Sequence, residues 1–161
     1  MLPILAAAAL ALAGCGDSPA GAMRDFEAKW HDAINFREDE KLYNLLDTES
    51  QRRLRLDLER LRGLEPAEQL RVIDKLGGAR VESLVQVTPE EYFKLLWNRI
   101  TDGKRPLMRI REHDDRTGYM ILSLDGTEQE VMLRFEAGRW VWRLPPQTVG
   151  FDTPPPLASG E

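Results

Sequence analysis

Residues 107–144 read LMRIREHDDRTGYMILSLDGTEQEVMLRFEAGRWVWRL. Within this stretch apolar and polar residues alternate with a period of two, where the chain before it repeats at about 3.6. Four strands are predicted: Leu107 to Glu112, Tyr119 to Leu124, Glu130 to Glu136 and Arg139 to Leu144. Their connectors are His113 to Gly118, Asp125-Gly126-Thr127 and Ala137-Gly138. A parallel crossover needs about a dozen residues or more, so these short polar links imply an antiparallel meander of hairpins. Val131, Leu133 and Phe135 share one face of the third strand. Trp140, Trp142 and Leu144 share one face of the fourth, with Arg139 and Arg143 opposite. A sheet with one apolar face requires a cover.

The cover lies upstream, where five amphipathic helices are predicted. Met23, Phe26, Trp30, Ala33 and Ile34 recur at steps of three and four. A short helix from Asp39 to Leu46 presents Leu42, Leu45 and Leu46. The third opens with Thr48 and Gln51 at capping-box spacing and shows Leu54, Leu58 and Leu61. Arg53 with Asp57, and Arg55 with Glu59, stand four apart as exposed ion pairs. Pro66 starts a fourth helix with Leu70, Ile73 and Leu76 on one face, and Gly77-Gly78 stops it. Val81, Ser83, Val85 and Val87 then alternate with Glu82 and Gln86, as in a short strand or an extended connector. Thr88, Pro89 and Glu91 form a second capping signal, ahead of a stripe of Phe93, Leu96, Trp97 and Ile100. The predicted class is therefore α+β, with N-terminal amphipathic helices packed on a C-terminal four-stranded antiparallel meander.

At the amino terminus, Leu2 to Ala13 carries no charge. Twelve helical residues span only about 18 Å, against roughly 30 Å of bilayer hydrocarbon, so the run fits the apolar segment of a signal peptide. It ends at Leu12-Ala13-Gly14-Cys15, which resembles the lipobox of bacterial lipoproteins. That resemblance implies that Leu12, Ala13 and Gly14 are read by the signal peptidase. It also implies that the Cys15 thiol carries diacylglycerol, making Cys15 the acylated first residue of the mature chain. Cys15 is the single cysteine, so an internal disulfide is excluded. The expected organisation is a signal peptide at 1–14, a lipidated linker at 15–21, the α+β domain at 22–145 (helical 22–103, sheet 104–145), and a Pro-rich flexible tail at 146–161.

The order of helices before a sheet ending in Gly138, Trp140 and Trp142, together with the helical pattern from Phe26 to Leu46, resembles the NTF2-like superfamily of cone-shaped domains. The resemblance implies an apolar cavity, with Trp30, Tyr43, Phe93, Trp97, Trp140 and Trp142 as candidate lining residues. In enzymatic members of that superfamily, roles fall to Asp, Tyr and His, for which Asp32, His31, Tyr43 and Tyr119 are the candidates here.

The residues themselves point to no reaction. Neither His31 nor His113 has a second ligand at metal spacing, and His113-Asp114-Asp115 lacks the regular carboxylates of a calcium loop. Gly77-Gly78 follows a helix and does not open one, unlike a phosphate loop. A net charge of −5 disfavours nucleic acid as a partner. Five arginines between Arg52 and Arg62 are interleaved with Asp57 and Glu59, as on a solvated helix face. The expectation is a non-catalytic, membrane-anchored envelope lipoprotein without metal or cofactor, lipid-anchored on the exported side of the cell membrane or in the outer membrane. Its partners are the membrane, through acyl chains on Cys15, and an envelope protein or a small apolar ligand. The alternatives are an isomerase- or dehydratase-like enzyme with an NTF2-like cavity, and a structural subunit of an envelope complex.

Overall fold

The computed structural model describes residues 18–78 and 81–145. The expected signal peptide, Cys15 and the tail from 146 lie outside the described residues. Helix α1 spans Pro19–Phe36. Ser18 caps it by accepting a hydrogen bond from the Gly21 backbone N–H at 3.3 Å, and Pro19 takes the first turn. A Ser-Pro pair suits the last non-helical and first helical positions, because proline lacks the N–H that would go unpaired there. The helix therefore starts within the 15–21 stretch expected to be linker. It buries Ala22, Met23, Phe26, Trp30, Ala33 and Ile34.

Helix α2 covers Asp39–Asn44 and α3 covers Thr48–Arg62. The cap of α3 is Asp47 and not the Thr48/Gln51 pair: the Asp47 carboxylate accepts from the Ser50 N–H at 2.8 Å, while Gln51 Nε2 donates to the Tyr43 carbonyl. The expected pair Arg53–Asp57 is also replaced. Arg52 pairs with Glu49 and Arg60 with Asp57, and Arg53 donates to the Leu144 carbonyl at 2.6 Å. Helix α4 spans Pro66–Lys75 and buries Val72 and Ile73; Leu70, expected on its apolar face, is 55% exposed. Behind it Gly78 is sterically required, since a Cβ there would lie 2.9 Å from Ile73 Cγ2.

Residues 81–87 form turns and bends with no strand. The alternation of valines misleads here because Arg62 reaches across and donates to the carbonyls of Leu84 (3.0 Å) and Val87 (2.6 Å), fixing the segment as a loop. Leu84 is fully buried beneath that clamp and Val85 faces solvent. Helix α5 spans Pro89–Thr101 and carries the complete capping box of Thr88 and Glu91. Its buried stripe is Tyr92, Phe93, Leu96 and Trp97, while Ile100, expected to continue it, is 43% exposed.

The sheet holds β1 (Leu107–His113), β2 (Thr117–Leu124), β3 (Thr127–Glu136) and β4 (Arg139–Trp142), antiparallel throughout in the order β1-β2-β3-β4. The predicted meander is thus present, curled into a half-barrel. Asp125-Gly126 and Ala137-Gly138 turn their hairpins with all four residues at φ between 50° and 81°, the left-handed pairs that match strand twist. On the outer face, Arg109 and Arg111 of β1 reach over β2 to Glu128 and Glu130 of β3, and Ile121 is buried between these bridges. The far edge of β4 is closed by Leu45–Asp47. Leu46 bridges Trp142 in parallel, Trp142 N–H donates to the Leu45 carbonyl (2.9 Å), and Asp47 N–H donates to the Trp142 carbonyl (2.8 Å).

Between helices and sheet lies an aromatic core. Trp30 of α1 stands edge-on to Trp97 of α5 (6.1 Å, 89°) and to Trp142 of β4 (5.1 Å, 85°), and Phe93 stacks against Trp97 at 6.0 Å. Offset and edge-on pairs of this kind add about 0.5–1.5 kcal/mol each beyond area burial. The indole N–H of Trp142 donates to the Leu42 carbonyl; that of Trp30 is buried with no hydrogen-bond partner among the described residues.

Candidate functional site

At the end of the half-barrel where β2 turns into β3, α5 and the sheet separate. The opening is a cleft of about 360 Å³, within the range of small-molecule sites. Its walls are apolar: Ile100, Pro106, Leu122, Leu124, Leu144 and Pro145, with Trp97 and Trp142 beneath. The sequence places it there for a local reason. The chain leaves α5 through Gly103, at φ 68°, and passes Pro106 into β1, while the Asp125-Gly126 turn joins β2 to β3. Ile100 is left 43% exposed and Leu124 half-buried.

The rim is polar, with Asp125, Thr127 and Gln129. Asp125 is already engaged by Lys104 at 2.5 Å, and the carboxylate holds that ammonium pKa above the usual lysine range. A larger depression of about 610 Å³ lies beside Gly77 and Gly78, but Glu82, Ser83, Gln86, Glu91 and Lys94 make it a wetter surface.

The six candidate lining residues divide. Trp97 and Trp142 border the cleft; Trp140 borders a separate groove along α1 with Phe26, Lys29 and Leu45. Trp30, Tyr43 and Phe93 are placed in the core, where Tyr43 meets Phe93 at 5.9 Å. Burial first, and then the charge of Glu90, raises the Tyr43 phenol pKa. His31 and Asp32 are exposed on α1 and Tyr119 is half-buried on β2, so the candidate acid–base set is not brought together. Ile100, Pro106 and Leu124 are cleft residues that sequence patterning misses. Their one signal is position, since Ile100 and Leu124 stand in the last residues of α5 and β2 and Pro106 directly precedes β1.

The buried charges have structural partners. Asp47 is fully buried, capping α3 and accepting from Arg143 Nε at 2.7 Å. Asp57, 9% exposed, accepts from the Tyr92 hydroxyl and from Arg60. Asp114 accepts from the N–H groups of Arg116 and Thr117, both at 2.7 Å, and from the Thr117 hydroxyl; those donors hold its pKa below the usual carboxylate range and make the His113 loop a self-contained turn. Among the described residues no three His, Cys, Asp or Glu side chains are grouped to hold a metal, and no helix is long and apolar enough to cross a membrane. Compared with protein-family models, curated proteins and solved structures, the chain matches none of them.

Proposed function

We propose that this chain is a membrane-anchored lipoprotein of the bacterial envelope whose folded domain binds an apolar ligand or an apolar protein segment without catalysing a reaction. The cleft between α5 and the β2–β3 hairpin carries the binding half of this reading. Six aliphatic or proline side chains surround it over two tryptophans, and its one rim carboxylate is tied to a lysine. Such a surface gains by removing apolar area from water, at about 25 cal/mol per Å², and offers no matched acid and base to a substrate. The acyl chains on Cys15 supply the membrane half; two or three of them, at about 0.8 kcal/mol per buried CH₂, hold a polypeptide durably to a bilayer. An NTF2-like cone with an enclosed reaction chamber is less favoured, because Trp30, Phe93, Trp97 and Trp142 pack against one another in the place such a chamber would occupy.

Two measurements test the halves separately. Labelled palmitate is expected to enter the wild-type chain and not Cys15→Ser; equal labelling rejects the anchor. Leu124→Arg places a charge in the cleft from a half-buried position, and is expected to cut the binding of a fluorescent apolar probe about tenfold, corresponding to about 1.4 kcal/mol, with little change in thermal unfolding. Unaltered probe binding rejects the cleft.

A further inference from the structure

Beside the cleft one edge of the sheet is open. Strand β3 pairs with β2 from Thr127 to Arg134, but with β4 only from Leu133 to Glu136. The last backbone bond on the β4 side runs from the Arg143 N–H to the Met132 carbonyl at 2.9 Å. Backbone groups along a strand alternate sides, so those of Glu128 and Glu130 face the same way as those of Met132. They have no backbone partner among the described residues. Thr127 and Gln129, which alternate with them, border the cleft. The chain leaves the sheet at this edge. Leu144 is pinned, its N–H donating to Ser50 Oγ at 2.9 Å and its carbonyl accepting from Arg53 at 2.6 Å. Trp142 and Leu144 border the cleft at alternate positions, yet Pro145 borders it too. The alternation has therefore slipped by one residue at a proline, as in a bulge. From there the odd-numbered residues take the cleft side. They are Gln147, Val149 and Phe151 in the run PQTVGFD over 146–152.

We propose that residues 147–151 are a strap that extends along the open edge of β3 with Val149 and Phe151 over the cleft, so that a ligand enters when the strap lifts. The inference rests on the cleft being the binding site proposed above, and says how access to it is regulated. With one residue of slip, Thr148 stands opposite Glu128 and exchanges both backbone bonds with it. Pro146 stands opposite Glu130, and its carbonyl accepts the Glu130 N–H. Val149 and Phe151 are two apart and so share one face of an extended segment. The reach is ample: Pro145 to Phe151 spans about 20 Å extended, against about 10 Å for the edge from Glu130 back to Thr127. Gln147 to Phe151 is uncharged. It therefore meets no repulsion from the carboxylates of Asp125, Glu128 and Glu130, which lie nearby in ion pairs with Lys104, Arg109 and Arg111. A tether this short also keeps the effective concentration of the strap in roughly the millimolar range, ahead of a second copy or a free peptide.

Two readings are taken on the full chain with Cys15→Ser, so that no lipid competes for the probe. The Glu128 and Glu130 amides are expected to exchange with deuterium about tenfold more slowly than in the same chain carrying Val149→Asp and Phe151→Asp. Nile red is expected to bind that double variant about tenfold more tightly, as for a strap closed about nine-tenths of the time. Adding Leu124→Arg to the variant is expected to cancel the gain. Equal exchange rates overturn the strap. Slow exchange that appears only at high protein concentration also overturns it, and assigns the edge to a second copy. A gain in Nile red binding that survives Leu124→Arg overturns the gating of the cleft. Slow exchange relieved by the variant, with Nile red bound by neither chain, keeps the added strand and overturns the cleft as a ligand site.

Discussion

Asp57 shows how one residue changes meaning between chain and fold. Four positions after Arg53, it reads as half of a surface ion pair; in the structure it lies beneath Tyr92, whose hydroxyl it accepts. A hydrogen bond to a buried charged group contributes about 1.5–3 kcal/mol, so Tyr92→Phe is expected to cost about 2 kcal/mol by urea denaturation. The same bond has a pH signature. Burial first, then the hydrogen bond and charge of Asp57, hold the Tyr92 phenol pKa well above the ordinary tyrosine value. The native state thus keeps a proton that the unfolded chain releases above about pH 10. Stability from this group is complete below that pH and falls as pH rises beyond it. Wild type is expected to lose more stability than Tyr92→Phe between pH 8 and pH 11, and equal losses would contradict the assignment. Asp47 is the second such residue. Asp47→Ala removes the cap of α3 and strands Arg143, 30% exposed, with an expected cost of about 2–4 kcal/mol, whereas Asp47→Asn keeps an acceptor for the Ser50 N–H and costs less. Neither role is legible in the sequence, because each depends on a partner 35 or 96 positions away.

At the level of elements, signals confined to a few neighbouring residues survive folding intact. The Thr88–Glu91 box is complete, with Thr88 Oγ1 accepting at 3.2 Å and Glu91 Oε2 accepting at 2.8 Å. The hairpin turns also stand where Asp-Gly and Ala-Gly place them. Ala137 is the poorly matched one, since it occupies φ 50° without the side-chain amide that makes asparagine tolerant of that region. Ala137→Asn is expected to stabilise the domain by about 0.5–1 kcal/mol, read as a raised melting temperature. Signals that need a partner fare worse. The valines of 81–87 carry the alternation of a strand, yet pairing was unavailable once Arg62 had taken the Leu84 and Val87 carbonyls. Thr48 likewise resembles a cap, but the preceding aspartate sits one residue closer to β4, where Arg143 can reach it.

For the molecule as a whole, class and strand order follow from periodicity and connector length, which need no knowledge of distant contacts. The site does not. The four tryptophans read equally well as core or as cavity wall, and only the packing separates them: Trp30, Trp97 and Trp142 stand ring on ring, and Trp97 and Trp142 also floor a cleft whose other apolar walls are aliphatic or proline. Trp142 is the most connected of these rings, meeting α1, α5 and the Leu42 carbonyl together. Trp142→Ala is expected to cost about 3–5 kcal/mol, a large share of the roughly 5–15 kcal/mol that holds a domain together, read as a lowered melting temperature.

Leu45–Asp47 and the start of α1 both pair with β4, across separations that reach 121 residues. Loop closure on that scale comes late and slowly, and neither contact exists until the final strand has been synthesised. A chain emerging from the ribosome therefore holds helices with nothing to seat on until β4 has followed them out. Compaction is postponed to the moment that strand arrives.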